Sequence, residues 1–513
     1  MFRPIPLFLI LVVTLLGCSK ELEPLTIQPV SQKDPIPFQV MVYNVENLFD
    51  VDDIALFEDY EPDQYSPRHL LTKLKNTAKV VASLNGGKGP EIILFQECEG
   101  DQTPSKLTSD IGAAMDRFSG RSLEEVLSNR VASELKDLPS YAWLYKALEE
   151  EGITGYQVAV ADYLPPPTAD DGPTHVNTIF SRFPITETLT HHTKGARSIL
   201  EVVVDVEGFP VRLFNNHWKS GASRAETEVI RVGNAKVLKR RLDAILLRDP
   251  NADIILGGDF NSHYNHAALF PNLPETGIND ILGSQGDESA MVGQRGPDLY
   301  NLWFELPEVD RGSELYRGRW GTLMHIIVGR GLYDWNGIQI QDGSFRVVSI
   351  DGLNNHPVTG RPTRWVASGD GAGFSDHFPI VATFRVVFDN ATDRWIDLKN
   401  PSRDASGPSS QPRFDYGSIT AQGLPAWTAH EIPSKDQAGD FFTVQATVSR
   451  DRPFSVRVGE REYGIWSHKK SVRKAVFDSF SEGDSIHFIG EFGRYRGKWQ
   501  FVIYDKSWII QNE

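Results

Sequence analysis

Residues 253–261 read Asp-Ile-Ile-Leu-Gly-Gly-Asp-Phe-Asn, an apolar run that passes directly into a carboxylate and an amide. The run predicts a buried strand, and Gly257 and Gly258 allow the chain to turn sharply or to approach a neighbouring segment closely. Asp259 and Asn261 follow on one side of the turn, where a carboxylate can polarise water and an amide can hold the attacking oxygen. Taken alone, the stretch is equally consistent with an Asx turn after a strand.

Polar side chains end three further predicted strands in the same way. Asn44, Glu97 and His217 each stand at the end of a short apolar or alternating run. Between the strands, the apolar spacing predicts helices, of which residues 226–248 form a long amphipathic one. Strands that alternate with helices predict an α/β sandwich of two sheets with outer helices. Polar groups at the ends of core strands are what a site built on a rigid sheet requires.

Two more segments carry candidate groups. In Ser375-Asp376-His377, the carboxylate is an oxygen ligand for a hard cation, and the imidazole can donate to a phosphate oxygen or titrate. Lys219 places an ammonium group close to His217. Each group also has an ordinary structural explanation, such as a helix cap or a surface histidine. Their recurrence in separate strand-end positions favours one shared site.

The order of these motifs resembles that of a known superfamily. The chain contains, in sequence, VYNVENLFD (42–50), EIILFQECEG (91–100), NTIFSRFPI (177–185), RSILEV (197–202), LFNNHWKSG (213–221), ILGGDFN (255–261) and SDHFPIVATF (375–384). Residues 38–388 thereby resemble the endonuclease/exonuclease/phosphatase superfamily with the DNase I-like fold, and the forms of the motifs are similar to those of secreted bacterial nuclease-like members. The resemblance implies a four-layer α/β/β/α sandwich whose site lies at one edge of the paired sheets.

The resemblance also implies roles for individual residues. It implies Mg²⁺ (or Mn²⁺) bound by Glu97, with Asn44 and Asp376 close to the metal. The implied catalytic residues are His217, Asp259, Asn261 and His377: Asp259 activates water or handles the leaving-group proton, Asn261 orients it, and the two histidines contact the scissile phosphate. Further residues in family-like segments are candidate substrate contacts, with structural ion pairs as the alternative: Arg197, Lys219 and Arg231.

One position departs from the superfamily pattern. Members usually carry an aspartate that orients the histidine of the SDH motif, and the corresponding position here is Met324. A thioether is a weak hydrogen-bond acceptor, so His377 is expected to lack its usual partner. His325, Asp351 and Asp370 are candidate substitutes. On this ground Met324→Asp is expected to preserve or raise turnover.

The N-terminus predicts export and lipidation. Residues 1–17 contain Arg3, an apolar run and the ending Leu-Leu-Gly, which together are typical of a signal peptide. Cys18 follows in a context similar to a bacterial lipobox, so it is the predicted lipidation site and the predicted membrane anchor, with residues 18–37 as a tether. Only two cysteines are present, which excludes a disulfide framework, and Cys98 is predicted to be a small buried hydrophobe.

The C-terminal part predicts a second, smaller domain. Residues 389–415 are poor in hydrophobic side chains and predict a linker. Residues 416–513 predict three strands, a helix and two strands, the order of an OB-fold-like barrel. The last hairpin interleaves cations with aromatic rings, which suits nucleic-acid binding but also a solvated turn; its candidate residues are Arg494, Tyr495, Arg496 and Trp499.

Charge and motifs together predict a phosphodiester hydrolase. The net charge of −16 excludes nonspecific nucleic-acid binding by the whole surface, so a polyanionic substrate requires a locally positive cleft or bound cations. The leading hypothesis is a metal-dependent nuclease at the cell surface or outer membrane that cuts extracellular DNA or RNA. A phosphatase or phospholipase-type phosphodiesterase of the same fold, and a non-catalytic surface binding protein, remain open. No protein partner is predicted.

Overall fold

The structure is a computed structural model of the chain. It describes residues 34–101, 111–116, 118–128, 138–162, 174–296, 298–367, 369–399, 401, 406–434, 437–451 and 453–510. The predicted signal peptide, Cys18 and most of the predicted tether lie outside these residues. Among the described residues, none of the helices combines the length and the apolar character that crossing a bilayer requires.

The described residues form strands and helices as follows. The strands are β1 (Ile36–Leu48), β2 (Ile92–Glu99), β3 (Gln157–Val160), β4 (His175–Ser181), β5 (Ile185–His191), β6 (Ile199–Val206), β7 (Phe209–His217), β8 (Ile254–Asp259), β9 (Ser284–Gln285), β10 (Leu299–Asn301), β11 (Glu314–Tyr316), β12 (Arg319–Gly321), β13 (Met324–Gly329), β14 (Asp334–Ile340), β15 (Arg346–Val347), β16 (Ile380–Trp395), β17 (Ala426–Trp427), β18 (Phe441–Asp451), β19 (Phe454–Val458), β20 (Arg461–Trp466), β21 (Ser485–Tyr495) and β22 (Lys498–Val502). The helices are α1 (Pro67–Ala82), α2 (Ile111–Asp116), α3 (Leu123–Ser128), α4 (Ser140–Glu150), α5 (Ala225–Leu246), α6 (His266–Leu269), α7 (Glu288–Val292) and α8 (Lys470–Ser479).

Two mixed sheets face each other and form the large α/β part. The first has the order β14-β16-β1-β2-β4-β3, with β15 beside β16, and the second has the order β5-β6-β7-β8-β13-β10-β9. One apolar cluster lies between the sheets. A second packs the first sheet against α1 to α4, and a third packs the other sheet against α5. This confirms the predicted α/β/β/α sandwich.

Strand alternation explains which side chains reach the space between the sheets. On β1, Tyr43 and Val45 pack toward the helices, whereas Val40 and Val42 pack between the sheets. Because successive side chains of a strand point to opposite faces, Asn44 continues the inner face. The same alternation places polar side chains at the inner ends of the neighbouring strands.

Two glycines let the sheets and strands approach closely at this end. A Cβ on Gly257 would lie 2.7 Å from Leu94 Cδ2 and 2.8 Å from Val42 Cγ2, both from the opposite sheet. A Cβ on Gly258 would lie 2.0 Å from the carbonyl oxygen of Asn216, and its φ of +135° is one that side chains rarely adopt. The glycine pair is therefore required by packing as well as by the turn.

The C-terminal part is a small closed barrel. Its strand order is β17-β18-β19-β20-β22-β21, and β18 also pairs with β21, which closes the sheet. The helix α8 lies between the fourth and fifth barrel strands in sequence, β20 and β21. The barrel core contains Trp427, Phe492 and Trp508. The predicted small all-β barrel is thus present.

One strand of the sandwich continues past residue 388, where the sequence predicts the end of the large domain. Strand β16 continues to Trp395, and its far end pairs with Asp334. Part of the predicted linker is also packed rather than extended through solvent, since Trp320 donates its backbone N–H to the carbonyl of Pro412. The barrel contacts the sandwich directly, because Arg361 forms an ion pair of 2.8 Å with Glu491.

Candidate active site

Four neighbouring strand ends bring the predicted groups together. The side chain of Asn44 donates from Nδ2 to Oε1 of Glu97 at 3.0 Å and to Oδ2 of Asp259 at 3.1 Å. The Nε2 atom of His217 lies 3.8 Å from each of the same two carboxylates. The residues come from β1, β2, β7 and β8, so the inner faces of both sheets contribute.

Three of these residues could hold a metal ion. One ligand atom each from Glu97, His217 and Asp259 lies within 4.8 Å of the others, and carboxylate oxygens are suitable donors for a hard divalent cation. Of the predicted metal ligands, only Glu97 is in this group. The Oδ1 atom of Asn44 accepts from the backbone N–H of Glu46 at 3.0 Å, and Asp376 lies beside His377. The ligand atoms of Glu97, Asp259 and His217 therefore suit a cation, and Asn44 orients the two carboxylates.

The position of Glu97 depends on an irregular backbone. Its φ is +65°, a left-handed conformation that costs energy in a residue other than glycine. The pairing of β2 with β4 shifts register between Phe95 and Cys98, as in a β-bulge, which turns a side chain out of the regular alternation. The backbone N–H of Asn47 donates to Oε2 of Glu97 at 2.9 Å. Together these contacts aim the carboxylate into the cleft.

Asp259 and Asn261 act as one unit. The backbone N–H of Asn261 donates to Oδ1 of Asp259 at 2.8 Å, and its side chain donates to the carbonyl of Trp218 at 3.2 Å. Burial raises the pKa of Asp259 to about 6, although His377 opposes that rise. A carboxylate held in this way can accept a proton near neutral pH.

His217 has the carboxylates of Glu97 and Asp259 and the guanidinium of Arg197 as charged neighbours. Burial lowers the pKa of His217 well below its usual value, and Arg197 and His175 lower it further. The rings of His175 and His217 are stacked with centroids 6.3 Å apart, and Arg197 approaches Nδ1 of His175 at 3.4 Å. His175 is the first residue of β4.

His377 lies in an anionic environment. Its Nδ1 atom lies 3.6 Å from Glu314, and its Nε2 atom lies 3.7 Å from Asp376 and 4.0 Å from Asp259. Burial alone would lower the pKa of His377, but these carboxylates outweigh it and raise the pKa to about 10. Ser375 fixes the segment by donating its hydroxyl to the carbonyl of Asn44 at 2.7 Å.

Glu314 supplies the carboxylate that the sequence did not reveal. It comes from β11, is 7% exposed, and accepts a hydrogen bond of 2.6 Å from the hydroxyl of Ser313. Met324, the expected defect, is fully buried in the core between the sheets. The three candidate substitutes are otherwise engaged: His325 with Asn301 and Ser262, Asp351 with Asn355, and Asp370 with Arg68.

The predicted substrate contacts differ in their placement. Arg231 is fully buried, pairs with Glu228 at 2.6 Å, and donates to the carbonyls of Lys219 and Ala222. We therefore assign Arg231 to the scaffold of that loop, which corrects its assignment to substrate. Lys219 itself is half-buried, and the charge of Arg197 acts on Glu97 and Asp259.

The last hairpin of the barrel reaches a cleft beside the catalytic strands. The cleft has a volume of about 850 Å³ and is lined by Glu46, Phe57, Tyr60, Arg364, Arg494 and Gly497, among others. Glu46 accepts from Arg364 at 2.8 Å. The guanidinium of Arg494 lies 5.3 Å above the Trp499 ring, which stacks on Phe492. Tyr495 is 59% exposed, with Arg496 over its ring at 5.4 Å.

Comparison with known proteins identifies the class of the sandwich. Residues 179–385 match the model of the Endonuclease/Exonuclease/phosphatase family, whose members hydrolyse phosphoester bonds. The match spans the motifs from RSILEV to SDHFPIVATF, whereas the motifs with Asn44 and Glu97 precede it. This match confirms the predicted resemblance of the sandwich to the endonuclease/exonuclease/phosphatase family over residues 179–385.

Solved structures and curated proteins were also compared. An endonuclease/exonuclease/phosphatase family protein from Bacteroides thetaiotaomicron is 15% identical, with 73% of this chain and 99% of that chain covered and a TM-score of 0.38. TDP2 from C. elegans is 14% identical, with 69% and 76% covered and a TM-score of 0.36. The human Nocturnin catalytic domain with bound sulfate anion is 14% identical, with 69% and 94% covered and a TM-score of 0.35. No curated protein matches.

Proposed function

We propose that this protein is a divalent-metal-dependent phosphodiesterase that cleaves nucleic acid. The observation that carries the proposal is the group formed by Glu97, Asp259 and His217, whose ligand atoms lie within 4.8 Å of one another. Asn44 bridges the two carboxylates, and His377 borders the same space. Two carboxylates and two imidazoles at one cleft suit phosphoryl transfer.

In this proposal, Glu97 would hold Mg²⁺ or Mn²⁺, and Asp259 and His217 line the same space. Such a cation, when bound, offsets the negative charge that develops on the phosphate oxygens. Asp259 has a pKa of about 6 and accepts the proton of the attacking water. Asn261, whose side chain points to the carbonyl of Trp218, holds that water.

The two histidines have different tasks in this proposal. Protonated His377 donates from Nε2 to a phosphate oxygen, while Glu314 holds the ring at Nδ1. Neutral His217 donates its single N–H to another phosphate oxygen. Arg197 adds a fixed positive charge behind His217. The presence of Glu314 removes the main argument for a decayed, non-catalytic site.

Nucleic acid is the substrate class that the cleft beside the site favours. Arg364 and Arg494 supply cations, and Phe57, 40% exposed, supplies a ring on which a base can stack. The acid closest to these cations in the cleft, Glu46, is paired with Arg364. Glu58 and Asp59 also line the cleft, so binding is expected to be local and modest. The barrel hairpin thus holds the strand while the sandwich cuts it.

We further propose that the enzyme works at the cell surface. The motif at Cys18 supports lipidation and anchoring to the outer membrane, which would place the cleft near extracellular DNA or RNA. Intact-mass analysis of membrane-purified protein tests the anchor. A mature chain that begins at an unmodified residue other than Cys18 would contradict it.

A matched set of variants tests the hydrolase. Purified protein is incubated with plasmid DNA, RNA and bis(p-nitrophenyl) phosphate, with Mg²⁺ or with EDTA. We expect Glu97→Gln and His217→Ala to lower turnover by at least about 1000-fold, whereas the exposed controls Glu226→Gln and His192→Ala stay active. Wild-type protein that is silent on every substrate with Mg²⁺ and Mn²⁺ would overturn the proposal, and activity restricted to small phosphate esters would replace nuclease by phosphatase.

A further inference from the structure

A second group of carboxylates lies outside the catalytic cleft. Carboxylate oxygens of Glu288, Glu305 and Asp342 lie within 4.8 Å of one another. Glu288 begins α7, Glu305 ends the short turn at Leu302–Glu305, and Asp342 follows β14. The three residues therefore come from separate segments that the fold brings together. Since β10 and β14 belong to different sheets, the group joins the edges of the sandwich.

Two oxygens of this group are buried without a partner. Glu288 is 1% exposed; its Oε1 accepts from the hydroxyl of Tyr333 at 2.8 Å, but its Oε2 is buried without a hydrogen bond. The Oε1 atom of Glu305 is likewise buried and unsatisfied. A buried carboxylate oxygen without a donor is costly, so these two atoms point to a missing ligand.

Positive side chains do not neutralise the group. The partners of Glu305 and Asp342 are backbone N–H groups: those of Phe345 at 3.4 Å and Gly343 for Glu305, and that of Lys399 at 2.7 Å for Asp342. Among the ion pairs of the described residues, none involves Glu288, Glu305 or Asp342. Three carboxylates at this spacing repel one another, and a multivalent cation bound by oxygen is the ligand that would satisfy both the charge and the unpaired atoms.

We infer that Glu288, Glu305 and Asp342 form a calcium site that fastens the two sheets at this edge. Calcium fits better than magnesium because it accepts irregular sets of six to eight oxygen ligands at about 2.3–2.6 Å, whereas magnesium requires a near-ideal octahedron and retains its waters. Oxygen atoms that share a calcium ion at these distances lie up to about 5 Å apart, as the three carboxylates do. The inference is independent of the proposed function.

Thermal unfolding of the full-length protein tests the site. Wild type is stripped with EDTA, dialysed, and melted with and without about 5 mM Ca²⁺, above the roughly 10⁻⁴–10⁻³ M dissociation constants of extracellular calcium modules. We expect Ca²⁺ to raise Tm by about 5 °C in wild type and by less than about 1 °C in Glu305→Gln. The control Glu308→Gln removes an exposed carboxylate three positions away and should respond like wild type.

The metal-free proteins give a second criterion. Glu305→Gln removes one of three repelling charges without changing size, so its metal-free Tm should equal or exceed that of wild type. Terbium luminescence excited through the nearby Trp303 should fall at least about tenfold in Glu305→Gln but persist in Glu97→Gln, which separates this site from the catalytic one. An equal Ca²⁺ response in wild type and Glu305→Gln, or no response in wild type, would overturn the inference; the latter result would identify a proton-sharing carboxyl group instead.

Discussion

The two histidines of the cleft lie in opposite electrostatic surroundings. His217 faces Arg197 as well as the carboxylates of Glu97 and Asp259, and its pKa is lowered well below the usual value, first by burial and then by Arg197. His377 faces Asp376, Glu314 and Asp259, which raise its pKa to about 10 against the effect of burial. The same side chain is therefore kept neutral on one side of Asp259 and protonated on the other.

This difference assigns separate tasks within one small site. Groups whose environments drive their pKa values apart are commonly the acid and base partners of a catalytic site. The fold obtains the difference from position, because the segment before β6 supplies Arg197, whereas β11 and the segment before β16 supply Glu314 and Asp376. Four substitutions test this contrast between the two sides, in order of decreasing expected effect.

Glu314→Gln should remove the charge that holds His377. We expect kcat to fall by roughly 1000-fold with little change in KM, since the imidazole loses its orientation and its proton rather than a substrate contact. Steady-state kinetics on a small diester measures the effect, with Glu308→Gln as control. A proportional rise in KM with unchanged kcat would contradict a positioning role.

Met324→Asp should destabilise the protein rather than restore activity. With Glu314 already in place, the new carboxylate would be buried in the core between the sheets opposite Asp259. We expect the free energy of unfolding to fall by about 3 kcal/mol, compared with less than about 1.5 kcal/mol for Met324→Leu. Urea denaturation measures both. Higher turnover in Met324→Asp would support the original expectation from the sequence instead.

Arg197→Met should lower kcat/KM, because it removes the positive charge beside His217. Removal of a charged donor from beside His175 and the carbonyl of Trp218 should lower kcat/KM about 30-fold, which corresponds to about 2 kcal/mol for a charged hydrogen bond. Arg197→Lys should retain part of the activity. Lys194→Met, three positions earlier and exposed, serves as the control. Equal activity of Arg197→Met and wild type would mean that only the charged groups around His377 contribute to catalysis.

Arg494→Ala should have the smallest effect, and only on long substrates. The hairpin touches neither histidine, so the small diester should be hydrolysed at the wild-type rate. KM for an oligonucleotide should rise about tenfold through the loss of one phosphate contact. Arg457→Ala, also exposed on the barrel, should leave both substrates unaffected. Equal losses on both substrates would mean that the hairpin supports the catalytic strands instead.

The sequence predicted the parts of the site that strand geometry places. Asn44, Asp259 and His217 end strands whose alternation is visible in the sequence, and the superfamily order of motifs identified their neighbours. Glu314 was missed because it lies in a short hairpin without a motif, and only tertiary packing brings it to His377. Met324 lies in the core as its position in the motif implies, and Glu314 from another strand is a carboxylate 3.6 Å from Nδ1 of His377.

Boundaries and scaffold roles were harder to predict. Strand β16 runs past residue 388 into a polar stretch, because pairing with β14 continues where hydrophobic side chains become rare. Arg231 follows a superfamily motif, yet it donates to Glu228, to the hydroxyl of Thr227 and to two loop carbonyls, which sequence spacing cannot reveal. The cleft that reaches Arg494 forms where the barrel packs beside the sandwich. No local sequence pattern predicts such a cleft.

Because β1 pairs with β16, the first sheet cannot be completed until the end of the sandwich has been synthesised. Phe38 lies opposite Phe384 in this pair, so a strand made early in synthesis must wait for one made near the end of the domain. At roughly 10 residues per second, that delay is on the order of half a minute. Until then β1 lacks one of its neighbours, and the segment with Asp376 and His377, which immediately precedes β16, does not yet exist. A nascent chain of this protein therefore cannot hold a complete cleft.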